Sequence, residues 1–99
     1  MNEWSLDVKN KTGVQTTHRP LLGDEYTKLA TPGTAQHARV SVSYTSGIDY
    51  GAEKVTATVT LNCDQTEPVI NRAGELAFVK AVELVTDAWH VLQKDRKPG

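Results

Sequence analysis

The sequence predicts an α+β fold in which an antiparallel β-hairpin packs on one long C-terminal helix. Three observations predict it. Two runs of apolar–polar alternation, at about 39–46 and 53–63, lie close together in the chain. An unbroken amphipathic stretch then runs from about 67 to 94. The interval between the two alternating runs is too short to hold the crossover helix that parallel strands need, so the strands should be antiparallel.

The first strand places Val40, Val42 and Tyr44 on one side and Arg39, Ser41, Ser43 and Thr45 on the other. In the second, Val55, Ala57, Val59, Leu61 and Cys63 alternate with Lys54, Thr56, Thr58, Thr60 and Asn62, giving one apolar face and one rich in threonine. One face meets core and the other meets water, as is usual in antiparallel sheets. Directly opposed residues share a face, and the apolar rows have even numbers in one strand and odd numbers in the other. Only a loop of even length keeps them together. A loop of Ile48, Asp49, Tyr50 and Gly51, with Gly51 free to take positive φ, would pair Tyr44 with Val55, Val42 with Ala57 and Val40 with Val59.

Asp64 to Pro68 should end the strand and open the helix. Thr66 is the expected N-cap, because Pro68 then lies in the first turn, where its missing N–H costs nothing, and Glu67 suits the positive helix end. At 100° per residue, Ile70, Ala73, Ala77, Ala81, Leu84, Ala88 and Val91 centre one face, flanked by Gly74, Phe78, Val85 and Leu92 and widened by Val82 and Trp89. A helix of about 28 residues spans about 42 Å, against about 33 Å for a ten-residue strand. It should therefore overhang the hairpin, and its apolar arc exceeds what two strands can cover. The missing cover would come from Trp4, Leu21, Leu22, Tyr26 and Leu29 or from a second copy of the chain, so a homodimer is one expected arrangement.

Residues 1–99 are expected to form a single domain, with 1–38 a loop-rich N-terminal segment and 39–95 the hairpin–helix core. Pro20 and Pro32, with glycines at 13, 23 and 33, argue for short regular structure in the first segment. Trp4, Leu6 and Val8 alternate with polar neighbours, so a strand at about 3–9 would extend the sheet, followed by a turn from Asn10 to Gly13. Asp24 to Leu29 has room for one helical turn capped by Asp24.

Composition narrows the function classes. Eleven Lys and Arg balance twelve Asp and Glu, for a net charge of −1, so no long-range field draws the protein to phosphate backbones or anionic lipid. Cys63 is the single cysteine, which excludes an internal disulfide. No apolar run approaches the roughly 20 residues that span a bilayer, and the opening MNEWSLDVKN lacks the basic start and apolar stretch of a secretory signal. Cytoplasmic localisation is the expectation, with no membrane partner.

Chemistry-bearing constellations are sparse. His18, His37 and His90 are scattered, with no recurring metal-ligand spacing, so no metal is expected. The strand-to-helix link Asn62–Glu67 holds no glycine to cradle a phosphate, and no other cofactor is expected. Asp49 with Tyr50, Asp24 with Glu25, and Ser46 beside Gly47 are read as turn residues, since none has a partnered base or orienting group. Cys63, on the inward row, is read as a core thiol. The protein is therefore expected not to be an enzyme. Its candidate partner-binding residues are Ile48, Asp49 and Tyr50 at the hairpin tip and Val82 and Trp89 on the helix. A nucleic-acid alternative uses the polar hairpin face, with Arg39 and Lys54 for phosphate and Tyr50 to stack on a base.

Residues 54–92 read KVTATVTLNCDQTEPVINRAGELAFVKAVELVTDAWHVL. This stretch resembles a pattern in small uncharacterised proteins of tailed bacteriophages and prophages. Asn62-Cys63-Asp64-Gln65, the run Arg72-Ala73-Gly74-Glu75-Leu76-Ala77 and Lys80-Ala81 carry the likeness, which covers under half the chain. It transfers no residue roles. It implies an accessory protein acting in the host cytoplasm by binding a macromolecule, above all a protein, for host takeover or counter-defence. A single-stranded nucleic-acid-binding or recombination accessory is the alternative.

Overall fold

The computed structural model describes residues 2–33, 36–48 and 53–95. Four antiparallel strands and one long helix make an α+β fold, in the order β1 (Glu3–Asn10), β2 (Gly13–Pro20), α1 (Asp24–Thr27), β3 (His37–Ile48), β4 (Glu53–Asp64) and α2 (Glu67–Asp95). The strands lie in the sheet order β2-β1-β4-β3. Two sequence-local hairpins are thus joined side by side through β1 and β4.

The odd row of β4 forms the floor of the core. Val55, Ala57, Val59, Leu61 and Cys63 have no exposed surface. Ala73, Ala77 and Ala81 on α2 are equally closed, and Val85 is nearly so. These four positions recur every fourth residue, so they make one stripe along the helix, and three methyl-sized side chains let the helix lie close on the sheet. α2 covers β4 and β3 in nearly equal measure and barely touches β1. On the uncovered side, Leu21, Tyr26 and Leu29 are buried and join the same cluster, with Trp4, Leu6 and Val8 of β1 packed against it. Residues of the N-terminal segment therefore supply much of the missing cover; Leu22 does not, being 82% exposed.

The hairpin keeps the expected parity but in a register displaced by two residues. Tyr44 pairs with Ala57, Val42 with Val59 and Val40 with Leu61, and the strands run on to Ile48 opposite Glu53. Residues 49–52, with Gly51 among them, lie between the paired ends and outside the described residues. A two-residue shift leaves every side chain on its expected face. It also aligns hydroxyl with hydroxyl on the outer face: Ser43 lies 2.9 Å from Thr58, Thr45 3.0 Å from Thr56 and Ser41 3.4 Å from Thr60. The expected register would have opposed Thr45 to Lys54. Gly47 fits this pairing because a Cβ there would stand 3.0 Å from the Glu53 carbonyl oxygen. With β4 at twelve residues, strand and helix are each about 40 Å long, and the anticipated overhang largely disappears.

β2 is the element that the sequence did not announce. It follows β1 through a two-residue turn in which Asn10 Oδ1 accepts from the Thr12 amide at 2.8 Å and the Gly13 amide at 3.1 Å. Gly13, at φ 148°, takes a conformation that favours glycine. Of β2's eight residues only Thr17 is even half-buried. With neither face covered, the strand shows no apolar alternation. α1 also departs from expectation, because Gly23 occupies the N-cap position and Asp24 is already helical.

The segment between β2 and β3 is pinned at both ends. The Leu21 amide donates to Asn2 O at 2.9 Å, and Asn2 Oδ1 accepts from the Asn62 amide at 2.8 Å. At the other end the Asp64 carboxylate accepts from the Thr31 amide at 2.7 Å and from the Thr31 hydroxyl, and the Asp64 amide donates to Leu29 O at 2.8 Å. The Thr31 hydroxyl and amide, helped by nearby His37, hold the Asp64 carboxyl below its ordinary value. A carboxyl lowered on folding contributes stability above its unfolded pKa and loses it as pH falls through the folded value. Acid titration of unfolding should therefore show Asp64→Asn less stable than the wild type at pH 7, with the gap closing below about pH 4. A gap that stays constant down to pH 2 would remove the carboxylate from this clip.

Candidate functional site

The fold sorts the candidate residues into three surfaces. The first is the flank of α2 that overlooks β3. There Phe78 stands edge-on to Tyr44, ring centroids 6.1 Å apart at 88°. Both rings come from the rims of their elements, so the core holds one side of each and solvent the other. Phe78 remains 51% exposed and Tyr44 36%. Val82, one turn on, is half-buried, and Trp89 packs partly against the core. Phe78, Val82, Val85 and Trp89 follow a 4-3-4 spacing, which keeps one stripe in line along a helix. Val82 and Trp89, expected as partner-binding residues, thus lie on the same stripe as Phe78. Ile48 ends β3 opposite Glu53, whereas Asp49 and Tyr50 lie outside the described residues.

Sequence reasoning placed Phe78 only as a flank of the buried face and named neither it nor Tyr44 as a candidate. The available signal was its position: it sits at the rim of the apolar arc, where a large ring overreaches a core built of alanines.

The second surface is the outer sheet face. Its rows follow from the pairing: His18, Ser5, Thr58 and Ser43 in one, Thr16, Asp7, Thr56 and Thr45 in the next. His18 lies 3.1 Å from Glu3. Arg39 and Lys54 both point to this face, but they are not brought together, since Arg39 pairs with Asn62 at one end and Lys54 with Gly47 at the other. Lys54 instead faces Lys9 of β1, beside a shallow hollow of about 170 Å³ also lined by Asp7, Val14 and Thr56. Lys9 was not a sequence candidate, because its proximity to Lys54 exists only once β1 lies against β4. Among the described residues this face carries no Phe, Tyr or Trp.

The third is a cleft of about 540 Å³ where α1 meets the start of α2, with Leu29, Pro68 and Val69 as apolar lining and Glu25, Lys28, Asp64 and Arg72 as its charges. Its polar groups alternate in sign, and the Asp64 carboxylate is occupied by Thr31. Among the described residues no group of three His, Cys, Asp or Glu side chains is placed to hold a metal ion. None of the described helices is long and apolar enough to cross a membrane.

Cys63 faces inward and has no exposed surface. Burial, with the neighbouring Asp64 charge, pushes its thiol pKa up, so the nucleophilic thiolate is disfavoured twice over. A disulfide reagent at pH 8 should therefore leave the native protein unlabelled and modify one thiol per chain once denaturant is added. Full labelling within minutes under native conditions would mean that the β4 row opens.

No family model matches the chain, and no curated protein or solved structure matches it either.

Proposed function

We propose that the protein is a non-enzymatic accessory protein that binds a partner protein through the flank of α2 beside β3. The observation that carries this reading is Phe78, a large ring held half in solvent by its edge-on contact with Tyr44. An aromatic side chain already fixed at the surface loses little rotamer freedom on binding, and such anchors dominate protein interfaces. Val82 and Trp89 extend the same stripe by three turns. The resemblance of residues 54–92 to small phage proteins supplies the setting, host takeover or counter-defence. A photoreactive phenylalanine analogue at position 78, activated in cells, should give an adduct containing protein. If only the free chain is recovered while analogues elsewhere on α2 react, the flank is not a binding surface.

A second reading, single-stranded nucleic acid on the outer sheet face, is favoured by one feature, the direct opposition of Lys9 and Lys54. Like charges side by side cost energy, and a bound phosphate would relieve that cost. Filter binding should then show retention that weakens steeply with salt and is lost in Lys9→Glu/Lys54→Glu. Absence of retention at low ionic strength removes this reading.

A further inference from the structure

We propose that the partner on this flank is a second copy of the chain, joined by antiparallel pairing of β3 with its own twofold mate to make one eight-stranded sheet. The proposal rests on the reading of the Phe78 flank as a protein-binding surface and names its occupant.

The two edges of the sheet differ. β2 ends in Arg19 and Pro20, a charged residue and a proline of the kind that commonly blunt an edge strand. β3 is twelve residues long, contains no proline, and is uncharged from Val40 to Gly47. Arg39 lies near its start, and from Val40 onward the ladder carries neither charge nor proline.

Self-pairing also satisfies the geometry of the faces. Antiparallel strands that share faces can pair about any residue of β3, and a twofold axis at Ser43 uses the described strand from Ala38 to Ile48. It sets Val42 against Tyr44, Val40 against Ser46, Ser41 against Thr45 and Arg39 against Gly47, so no like charges meet and the apolar pair of Val42 and Tyr44 flanks the axis on the core side. Both helices then fall on the same side of the joined sheet. Because α2 lies over β3 and β4 almost equally, its axis runs about half a strand spacing inside β3. With strands about 4.8 Å apart, the two helix axes come to about 10 Å, the separation at which helices pack. Phe78 lies on the flank that would face its mate, and its contact partner Tyr44 is one residue from the axis.

The area suffices. The side of the fold is as long as β3, about 40 Å, and the molecule measures 22 and 18 Å across its short axes. This profile of roughly 700–900 Å² matches the ~800 Å² per partner of a stable complex.

Light scattering on the eluted protein at tens of micromolar should give twice the 10.8 kDa chain mass. Ser41→Lys/Thr45→Lys, which opposes lysines across the axis on an exposed face, should elute as a monomer with unchanged circular dichroism. A wild-type monomer, or a folded double variant that stays dimeric, overturns the proposal. A measurement independent of that variant is oxidation of Ser43→Cys, which should give a covalent dimer while Thr16→Cys on β2 does not; failure of Ser43→Cys to cross-link overturns the pairing. The photoadduct at position 78 separates this proposal from the reading beneath it. An adduct of twice the chain mass supports self-pairing. An adduct with a foreign protein, from a chain that is monomeric, overturns self-pairing and keeps the flank as a binding surface. A Ser43→Cys cross-link without any adduct supports the pairing and removes the role of Phe78.

Discussion

Replacing Leu61 with alanine should lower stability by about 2–5 kcal/mol, the usual range for truncating a fully buried leucine. Leu61 is the largest side chain with no exposed surface, and it sits on β4 opposite Val40, under α2. A domain of this size has about 5–15 kcal/mol in total, so the variant should lose a large share of its stability. Urea denaturation would show a lower midpoint with an unchanged slope. Val79→Ala, at a position 61% exposed, should change the unfolding free energy by no more than about 0.5 kcal/mol. Equal effects at the two sites would mean that the odd row of β4 is not the core.

The second large effect is expected from adding volume. Ala77→Leu places a bulky side chain where α2 rests directly on the sheet, and Ala77 has no exposed surface to expand into. Overpacking of a closed site typically costs about 1–3 kcal/mol. Leucine and alanine differ little in helix propensity, so the loss would report the helix-to-sheet fit and not the helix itself. A peptide spanning α2 should keep its helicity with the same substitution, whereas the intact protein should unfold at lower temperature. If Ala77→Leu is neutral or stabilising in the protein, the alanine stripe does not set the spacing between the layers.

These two residues also show why half of the fold was legible. Leu61 and Ala77 belong to rows with a buried side and a wet side, and burial writes its period into the sequence. β2 has no such row, since neither of its faces is covered, and its polar residues read as a loop. The hairpin register escaped for a different reason. A shift of two residues changes every partner and no face, so patterning cannot distinguish the two pairings; matched hydroxyls and the fit of Gly47 do.

The candidate surfaces divide in the same way. Val82 and Trp89 were visible because they widen an apolar arc beyond what a hairpin can cover. The importance of Phe78 depends on where Tyr44 lies, and the Lys9–Lys54 pair on where β1 lies. Both are facts of tertiary placement between residues more than thirty positions apart in the chain. Arg39 and Lys54 read as a pair only because they share a face; the strands keep them at opposite ends of it.

The strand order has a kinetic meaning as well. Each hairpin closes over a short stretch of chain, a step that takes microseconds, yet the sheet is complete only when β1 meets β4 some fifty residues later. Docking of two preformed halves, with its larger loop-closure entropy, therefore limits the folding rate. During synthesis the first hairpin must wait at the ribosome with the inner edge of β1 unpaired until β4 emerges.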